Sequence, residues 1–508
     1  MIPIASVCAA LAGVVAAPAE LRWVDGGRPT PQAIALVEVL KASALEALDP
    51  EDYGAGLWDG RMADLSSRGQ RAFDKALTAA AERYVADRHT GRVNPGHAGA
   101  SLDKPAAGDV RAFVRRLATA ADVREMLRET DKPFPPYQRL LGAYRQYLAL
   151  ARRDPGGGLP RLRGIVDPGG RWSGVPRVAE LLALTGDLRG ARAGAGDGYD
   201  PALAGAVRRF QQRHGLLPDG RLGSRTVRAL NVPFARRARQ LELAIERLRW
   251  LPQTLAAPLV VVNIPEYRLR AYGMGEALEM NVVVGRAFRY RTPVFASTLR
   301  GVVFRPFWNV PRSIERDELI AQLEREPGKM EALGFEAVDA RGIPVRDGDL
   351  PGRLRGEELR LRQRPGARNA LGLVKFELPN RFGVYLHGTP SMSLFARQRR
   401  DLSHGCIRVE DAETLAMRVL GWPRDRVAQA MAGDQTLRVT PERPLPVLIL
   451  YSTAIAREDG SVHFFDDVYK LDAALERALE RGRAQRLPPS ALLLPQGSHP
   501  SGAALLLQ

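Results

Sequence analysis

At Leu259 the spacing of apolar residues changes, and this change limits the fold more than any other feature of the chain. Upstream, apolar positions recur at helical intervals, as in Ala33-Ile34-Ala35-Leu36-Val37-Glu38-Val39-Leu40 and Val110-Arg111-Ala112-Phe113-Val114-Arg115-Arg116-Leu117. Downstream, β-branched residues dominate with a period near two, in Leu259-Val260-Val261-Val262-Asn263-Ile264, Arg268-Leu269-Arg270-Ala271-Tyr272 and Met280-Asn281-Val282-Val283-Val284. A helical first part followed by a strand-rich second part predicts a multidomain α+β protein. The 508 residues suit two to four domains, and 45% hydrophobic content is ample for packed cores.

Finer punctuation falls within those two parts. Residues 30–153 read as helices, and Asp154-Pro155-Gly156-Gly157-Gly158-Leu159-Pro160 breaks the pattern as a linker. Residues 176–232 predict three short helices, with Pro218-Asp219-Gly220 as the turn before the third. Residues 236–251 form an amphipathic helix with Leu241, Ile245, Leu248 and Leu251 on one stripe. Glu315 to Leu333 returns to a helical pattern, Arg341 to Arg364 is charged and loop-like, and Val447–Tyr451 with Gly460–Phe465 reads as a final strand pair completing the sheet.

Chemistry concentrates between His387 and Arg408, which hold Cys406, one of two cysteines, and two of the seven histidines. A thiol attacks as thiolate, and a free cysteine with pKa about 8.5 needs a histidine or a helix N-terminus to assist it. Val384-Tyr385-Leu386 reads as a strand ending at His387, while Val409 onward looks helical, which puts Cys406 near a helix start. A lone cysteine is commonly a small buried hydrophobe, but Ser403-His404-Gly405-Cys406 is polar and glycine-interrupted, unlike a core segment. A zinc site from His387, His404 and Cys406 is the rival chemistry. No CxxC, HExxH or clear carboxylate partner supports it, and no metal or other cofactor is expected.

These residues resemble the L,D-transpeptidases with a YkuD-type catalytic domain, which carry a His, a spacer of about fifteen residues, then Ser/Thr-His-Gly-Cys, a hydrophobic residue and Arg. His387, Ser403, His404, Gly405, Cys406, Ile407 and Arg408 fill that motif. Val262–Leu269, Val284-Gly285-Arg286, Thr292–Phe295, Phe307–Ile314 and Pro365–Gly372 are similar to the large periplasmic branch, which has a helical scaffold and a capping insertion. Tyr84–Pro95 resembles that branch's scaffold, and Ala206–Leu216 with Asp219–Thr226 resembles a three-helix peptidoglycan-binding domain. The resemblance implies a signal-like segment over 1–19, a scaffold over 20–165 and a three-helix domain over 166–233. A scaffold helix and linker over 234–258 then leads to a mostly β catalytic domain over 259–472, with an insertion at about 315–370, and 473–508 is a C-terminal helix and tail.

It also implies roles. Cys406 is the nucleophile that forms a thioester with a tetrapeptide stem, and His387 is the general base and acid, oriented by the Gly388 carbonyl. The backbone N–H groups of Gly405 and Cys406 with the Tyr385 hydroxyl make the oxyanion hole. Ser403 and His404 hold the loop, Arg408 meets a substrate carboxylate or braces the loop, and Trp308 and Tyr267 either line the groove or fill core. Transfer to an amine on a neighbouring stem gives a cross-link. Hydrolysis (an L,D-carboxypeptidase), attachment of a protein to the wall, and a wall-binding scaffold without catalysis are the alternatives. Sensitivity to carbapenem-type β-lactams follows from the same thiolate.

Formal charge is +17, from 74 basic and 57 acidic residues. Arginine-rich coding and attraction to an anionic polymer explain it equally well, and no compact basic block with interleaved aromatics points to nucleic acid. Stem peptides and glycan strands of peptidoglycan are the expected partners, together with other cell-wall synthesis proteins. Residues 1–19 are apolar and uncharged and end in Ala17-Pro18-Ala19, as in a secretory signal, although no Lys or Arg precedes them. A periplasmic location follows, with that segment either removed or left as an inner-membrane anchor.

Overall fold

The computed structural model describes residues 21–154, 156–189, 196–255 and 257–485, so the apolar segment over 1–19 and the tail beyond 485 lie outside the described residues. Two compact units emerge. One comprises the chain up to His89, Ala107–Asp131 and the segment from Arg483; the other comprises Thr90–Ala106 and Lys132–Gly482.

The first unit is helical. Pro31–Lys41 starts with proline in its first turn and with the Thr30 hydroxyl accepting the Ala33 N–H at 3.1 Å, which satisfies one of the helix's orphan donors. Leu36, Val37 and Leu40 on its inner face pack with Trp23, Tyr53, Trp58 and Phe73, all buried. Edge-on aromatic pairs, Tyr53–Tyr84 at 5.2 Å and Trp58–Phe73 at 6.1 Å, fix the geometry of this core.

In the second unit, the three expected short helices are Val175–Leu184, Pro201–Arg213 and Ser224–Leu230. Buried Gln211 clasps the turn between the last two: its amide donates to Asp219 at 2.8 Å and to Thr226 at 3.1 Å, and its carbonyl accepts Gly220 N–H at 2.8 Å. His214 stacks on Phe210 at 3.8 Å and is core. The helix Phe234–Arg249 buries Leu241 and Ile245, as its stripe predicts.

A large curled sheet forms the rest. Its strand order is Leu437–Val439, Gly301–Phe304, Val374–Glu377, Leu386–His387, Ile407–Val409, Leu278–Gly285, Arg268–Tyr272, Leu259–Asn263, Leu445–Leu450, Val294–Leu299 and Ala100–Ser101, with Asp401–Ser403 paired to the side of Leu278–Gly285. Two expectations are corrected. Leu445–Leu450 does not pair with the 460–465 run; it lies inside the sheet, parallel to Leu259–Asn263 and antiparallel to Val294–Leu299. Val462–Phe464 instead makes a small hairpin with Ala454–Ala456. Residues 341–364 are not a plain loop, because they contain the strand Pro344–Val345, the helix Leu350–Arg355 and the strand Arg360–Gln363.

Those elements belong to a four-stranded sheet that starts at Trp308–Asn309 and has its own core of Val310, Ile314, Ile320, Met330, Leu354 and Leu361. Buried Asn369 closes this insertion. Its side-chain amide faces the carbonyls of Pro306, on the outgoing strand connection, and of Gln363 and Arg364, on the returning one, at 3.1, 3.3 and 2.9 Å.

Candidate active site

Parallel pairing of Leu386–His387 with Ile407–Val409 puts His387 opposite Arg408 and brings the Ile407 N–H to the Tyr385 carbonyl at 3.0 Å. Cys406 is thereby held against Tyr385, one step before that pair. The expected helix start is not beside the thiol. A strand follows Cys406 directly, and the next helix begins only at Ala412, capped by Asp411. The thiolate therefore depends on side chains and dipoles other than a helix terminus.

Tyr385 supplies them. The Cys406 thiol donates to the Gly383 carbonyl at 3.8 Å, while Tyr385, by its backbone and its hydroxyl, lowers the thiol pKa against burial, the larger influence, which raises it. Lys375 and Arg408 also favour the thiolate. Lys375 Nζ sits 4.6 Å from the Tyr385 ring centre, a cation held over an aromatic face. The phenol pKa is itself pushed far up, first by burial and then by the Cys406 charge, so Tyr385 remains a donor at all ordinary pH. Trp308, from the first strand of the insertion, lies near enough to the phenol to lower its pKa slightly against those influences.

His387 is buried, with Nδ1 2.6 Å from the Gly388 carbonyl. A carbonyl only accepts, so Nδ1 carries the proton and Nε2 keeps its lone pair. Burial, then the Arg408 and Lys375 charges, hold the imidazole pKa down to about 3, so it is neutral across the physiological range.

The loop before Cys406 is locked by neutral groups. The Ser403 hydroxyl donates to the Cys406 carbonyl at 2.6 Å and accepts the Gly405 N–H at 3.2 Å. That N–H is thus engaged within the loop, which leaves the Tyr385 hydroxyl as the side-chain donor facing the thiol. Gly405 adopts φ +112°, a conformation open to glycine and costly for residues with a Cβ. Thr292 donates to the Gly405 carbonyl at 2.7 Å and accepts the Gly285 N–H at 2.9 Å. His404 turns the other way: its Nε2 pairs with Glu318 of the insertion at 2.7 Å, and its ring lies 4.6 Å from that of Tyr290.

Arg408 is largely buried, beside Arg286, and its Nε has no hydrogen-bond partner among the described residues. Burial and Arg286 lower its pKa, whereas Cys406 raises it, so an added anion is electrostatically welcome there. Tyr267 is directed elsewhere. Its hydroxyl donates to Asp401 at 3.2 Å, and Arg400 lies 5.2 Å over its ring, so it supports the segment leading into the motif. Lys375, Thr292 and Glu318 are the groups that sequence reasoning missed. Lys375 is the register partner of His387, a pairing that no local pattern encodes. Among the described residues no cluster of His, Cys, Asp and Glu has the makings of a metal site.

Comparison with known proteins gives three family matches along the chain. Residues 18–143 match the "Scaffold domain" model, residues 182–230 the "Putative peptidoglycan binding domain" model, and residues 257–442 the YkuD model, the L,D-transpeptidase catalytic domain. A curated Haemophilus influenzae protein named "Putative L,D-transpeptidase" is 33% identical over 244 residues, which span 47% of this chain and 49% of that protein. The match therefore covers about half the length of that relative. Two solved structures are far more distant. One is an L,D-transpeptidase from Xylanimonas cellulosilytica, with 15% identity, TM-score 0.17, and coverage of 57% of this chain and 100% of that one. The other is L,D-transpeptidase 1 of Mycobacterium tuberculosis, with 15% identity, TM-score 0.15, and coverage of 38% and 60%. Cys406, His387 and Arg408 all fall inside residues 257–442, the stretch that matches the YkuD L,D-transpeptidase catalytic domain.

Proposed function

We propose that the chain is a periplasmic peptidoglycan L,D-transpeptidase that works through a Cys406 thioester. The observation that carries this reading is Cys406 facing the Tyr385 phenol, one strand over from a neutral, carbonyl-anchored His387. His387 Nε2 takes the thiol proton as sulfur attacks the carbonyl that links the third stem residue to the terminal D-amino acid. Negative charge builds on that carbonyl oxygen, and the Tyr385 hydroxyl, with the Cys406 N–H, stabilises it. As the C–N bond breaks, the imidazolium returns its proton to the departing amine. A group whose pKa lies near 3 is a strong acid once protonated, which favours this step. An amine on a neighbouring stem then attacks the thioester, loses its proton to His387 and restores the thiol. Arg408 binds a stem carboxylate, because its guanidinium, beside Arg286, has no carboxylate partner among the described residues. A carbapenem, with a strained carbonyl, acylates the same thiol.

The test is intact mass spectrometry of the chain incubated with a tetrapeptide muropeptide, beside Cys406→Ala, followed by product analysis. A transient acyl adduct on the wild type only, with cross-linked dimers accumulating, is the expected result. Tripeptide without dimers would make the enzyme an L,D-carboxypeptidase. Absence of any adduct or product would leave a wall-binding protein and sink the catalytic reading.

A further inference from the structure

A cleft of about 1060 Å³ opens in the second unit at a place that neither Cys406 nor His387 lines. Its walls come from the three-helix region, from the turn at Pro265–Arg268, from the hairpin near Arg457–His463, and from the strap Ala396–Arg400 that precedes the catalytic motif. Arginine dominates the lining, and part of it is neutralised. Arg213 pairs with Asp187, and Arg457 pairs with Glu266 and Glu279 at 3.3 and 3.4 Å.

Arg189, Arg209, Arg225, Arg397 and Arg400 have no carboxylate partner among the described residues. Where they are bonded, the acceptors are neutral. Arg209 donates to the Asp187 carbonyl at 2.9 Å, Arg225 to the Gln398 side chain at 2.6 Å, and Arg400 to the carbonyls of Val282, Arg397 and Tyr267. Such bonds hold a guanidinium in place without cancelling its charge. Asp459 and Asp466 are the lining carboxylates without a cationic partner, so positive charge remains in excess. Burial, then neighbouring Arg268, lowers the Arg400 pKa to about 10, as expected for a cation short of counter-charge. Low-dielectric walls of one sign concentrate an oppositely charged ligand.

We propose that this cleft is a second ligand site, which holds a polycarboxylate strand through these five guanidinium groups. Taking that strand to be peptidoglycan, with the free carboxylates of its stem peptides, rests on the function proposed above; the anion site itself rests on charge and geometry. The site also joins two parts of the unit. Gln398 of the strap accepts from Arg225 and donates to the Gly215 carbonyl at 2.8 Å, and the strap runs on into Ser403, which holds the nucleophile loop. A strand in the cleft is thus held beside the segment that leads to Cys406.

The experiment is cosedimentation of the full chain with peptidoglycan sacculi, with sacculi whose carboxylates have been amidated, and competition by poly-L-glutamate or single-stranded DNA. The variant is Arg189→Glu with Arg397→Glu, both exposed side chains. Sacculus binding is expected to weaken about tenfold in the variant and to respond to salt in the wild type, because exposed ion pairs are individually small but additive at separate positions. Acylation of Cys406 by a soluble tetrapeptide fragment should be unchanged, which also reports an intact fold. Equal binding by variant and wild type, or equal binding of amidated and untreated sacculi, would overturn the proposal. Displacement by DNA at lower concentration than by poly-L-glutamate would reassign the cleft to nucleic acid. A wild type that binds sacculi through charge yet never acylates would keep the cleft and remove the catalytic reading.

Discussion

The Cys406 site and the arginine cleft share one strap and solve opposite problems. At Cys406 polarity comes mostly from fixed neutral dipoles: a phenol, a serine and a threonine hydroxyl, and the Gly388 carbonyl. In the cleft it comes from full charges, several of them exposed. Dipoles buried at short range act on charge that appears only during reaction and are little affected by salt. Exposed charges act over a Debye length, about 8 Å at physiological ionic strength, and suit capture of a polymer. On the proposed functions, bond-making and polymer capture are carried by different groups, and substitutions at the two places should separate them experimentally.

The largest effect should come from Tyr385→Phe. Loss of one donor aimed at a developing oxyanion lowers a rate by about 10²–10³. The same change should raise the thiol pKa further, since it removes the hydroxyl's influence opposing burial while leaving that of the Tyr385 backbone. Single-turnover acylation and the pH dependence of iodoacetamide alkylation would read these two effects. A rate within a factor of three of wild type would break the claim that fixed dipoles drive the chemistry.

Ser403→Ala should follow. The buried hydroxyl bridges the Cys406 carbonyl and the Gly405 N–H, and removing it costs about 1–3 kcal/mol, visible as a lower melting temperature together with slower acylation. Next comes pH. His387 near 3 and His463 near 4 titrate below their ordinary value of 6.5, and His214 lies well below it too. Below pH 6.5 the unfolded chain binds protons that the folded chain refuses, so stability should fall as pH drops through 6.5 toward 4. Alkylation of Cys406 should instead rise steadily on the alkaline side with no step near 6.5, because His387 is already neutral there. A step near 6.5 would mean that a titrating His387 governs the thiol. The smallest effect is expected for His404→Gln. Its pair with Glu318 is partly exposed, and losing it should cost under about 1 kcal/mol. A change in substrate preference larger than the change in stability would show that the insertion is held through this pair for binding.

Much of this arrangement was legible in the chain. The change of period at Leu259 marks the strand Leu259–Asn263, where the main sheet's strands begin to follow one another along the chain. His387 and the residues after Cys406 come together because the strands that flank the intervening loop pair across it. What failed was whatever depends on distant partners. Ile407-Arg408-Val409 runs into a helix-like pattern, yet these residues form a strand because Leu386–His387 and Leu278–Gly285 lie on either side. Leu445–Leu450 is apolar with little alternation, the mark of a strand buried in a sheet, but nothing nearby names its neighbours. Arg341 to Arg364 looked loop-like because charges face out from a thin sheet whose inner positions, such as Leu354 and Leu361, are few. The cleft was invisible for the same reason: its arginines lie from 189 to 457 in sequence and share no pattern.

Asn369 has a further consequence. Both connections of the insertion pass one amide, so the main sheet sees this subdomain as a cassette with a single stem. A second tie runs from Glu318 of the insertion to His404, so changes threaded between Pro306 and Gln363 should leave Tyr385 and Cys406 in place where they spare both this pair and the stem. The insertion is thus the part of the molecule most open to retooling, with Trp308 and Glu318 as the positions that couple any replacement to Tyr385 and to the loop before Cys406.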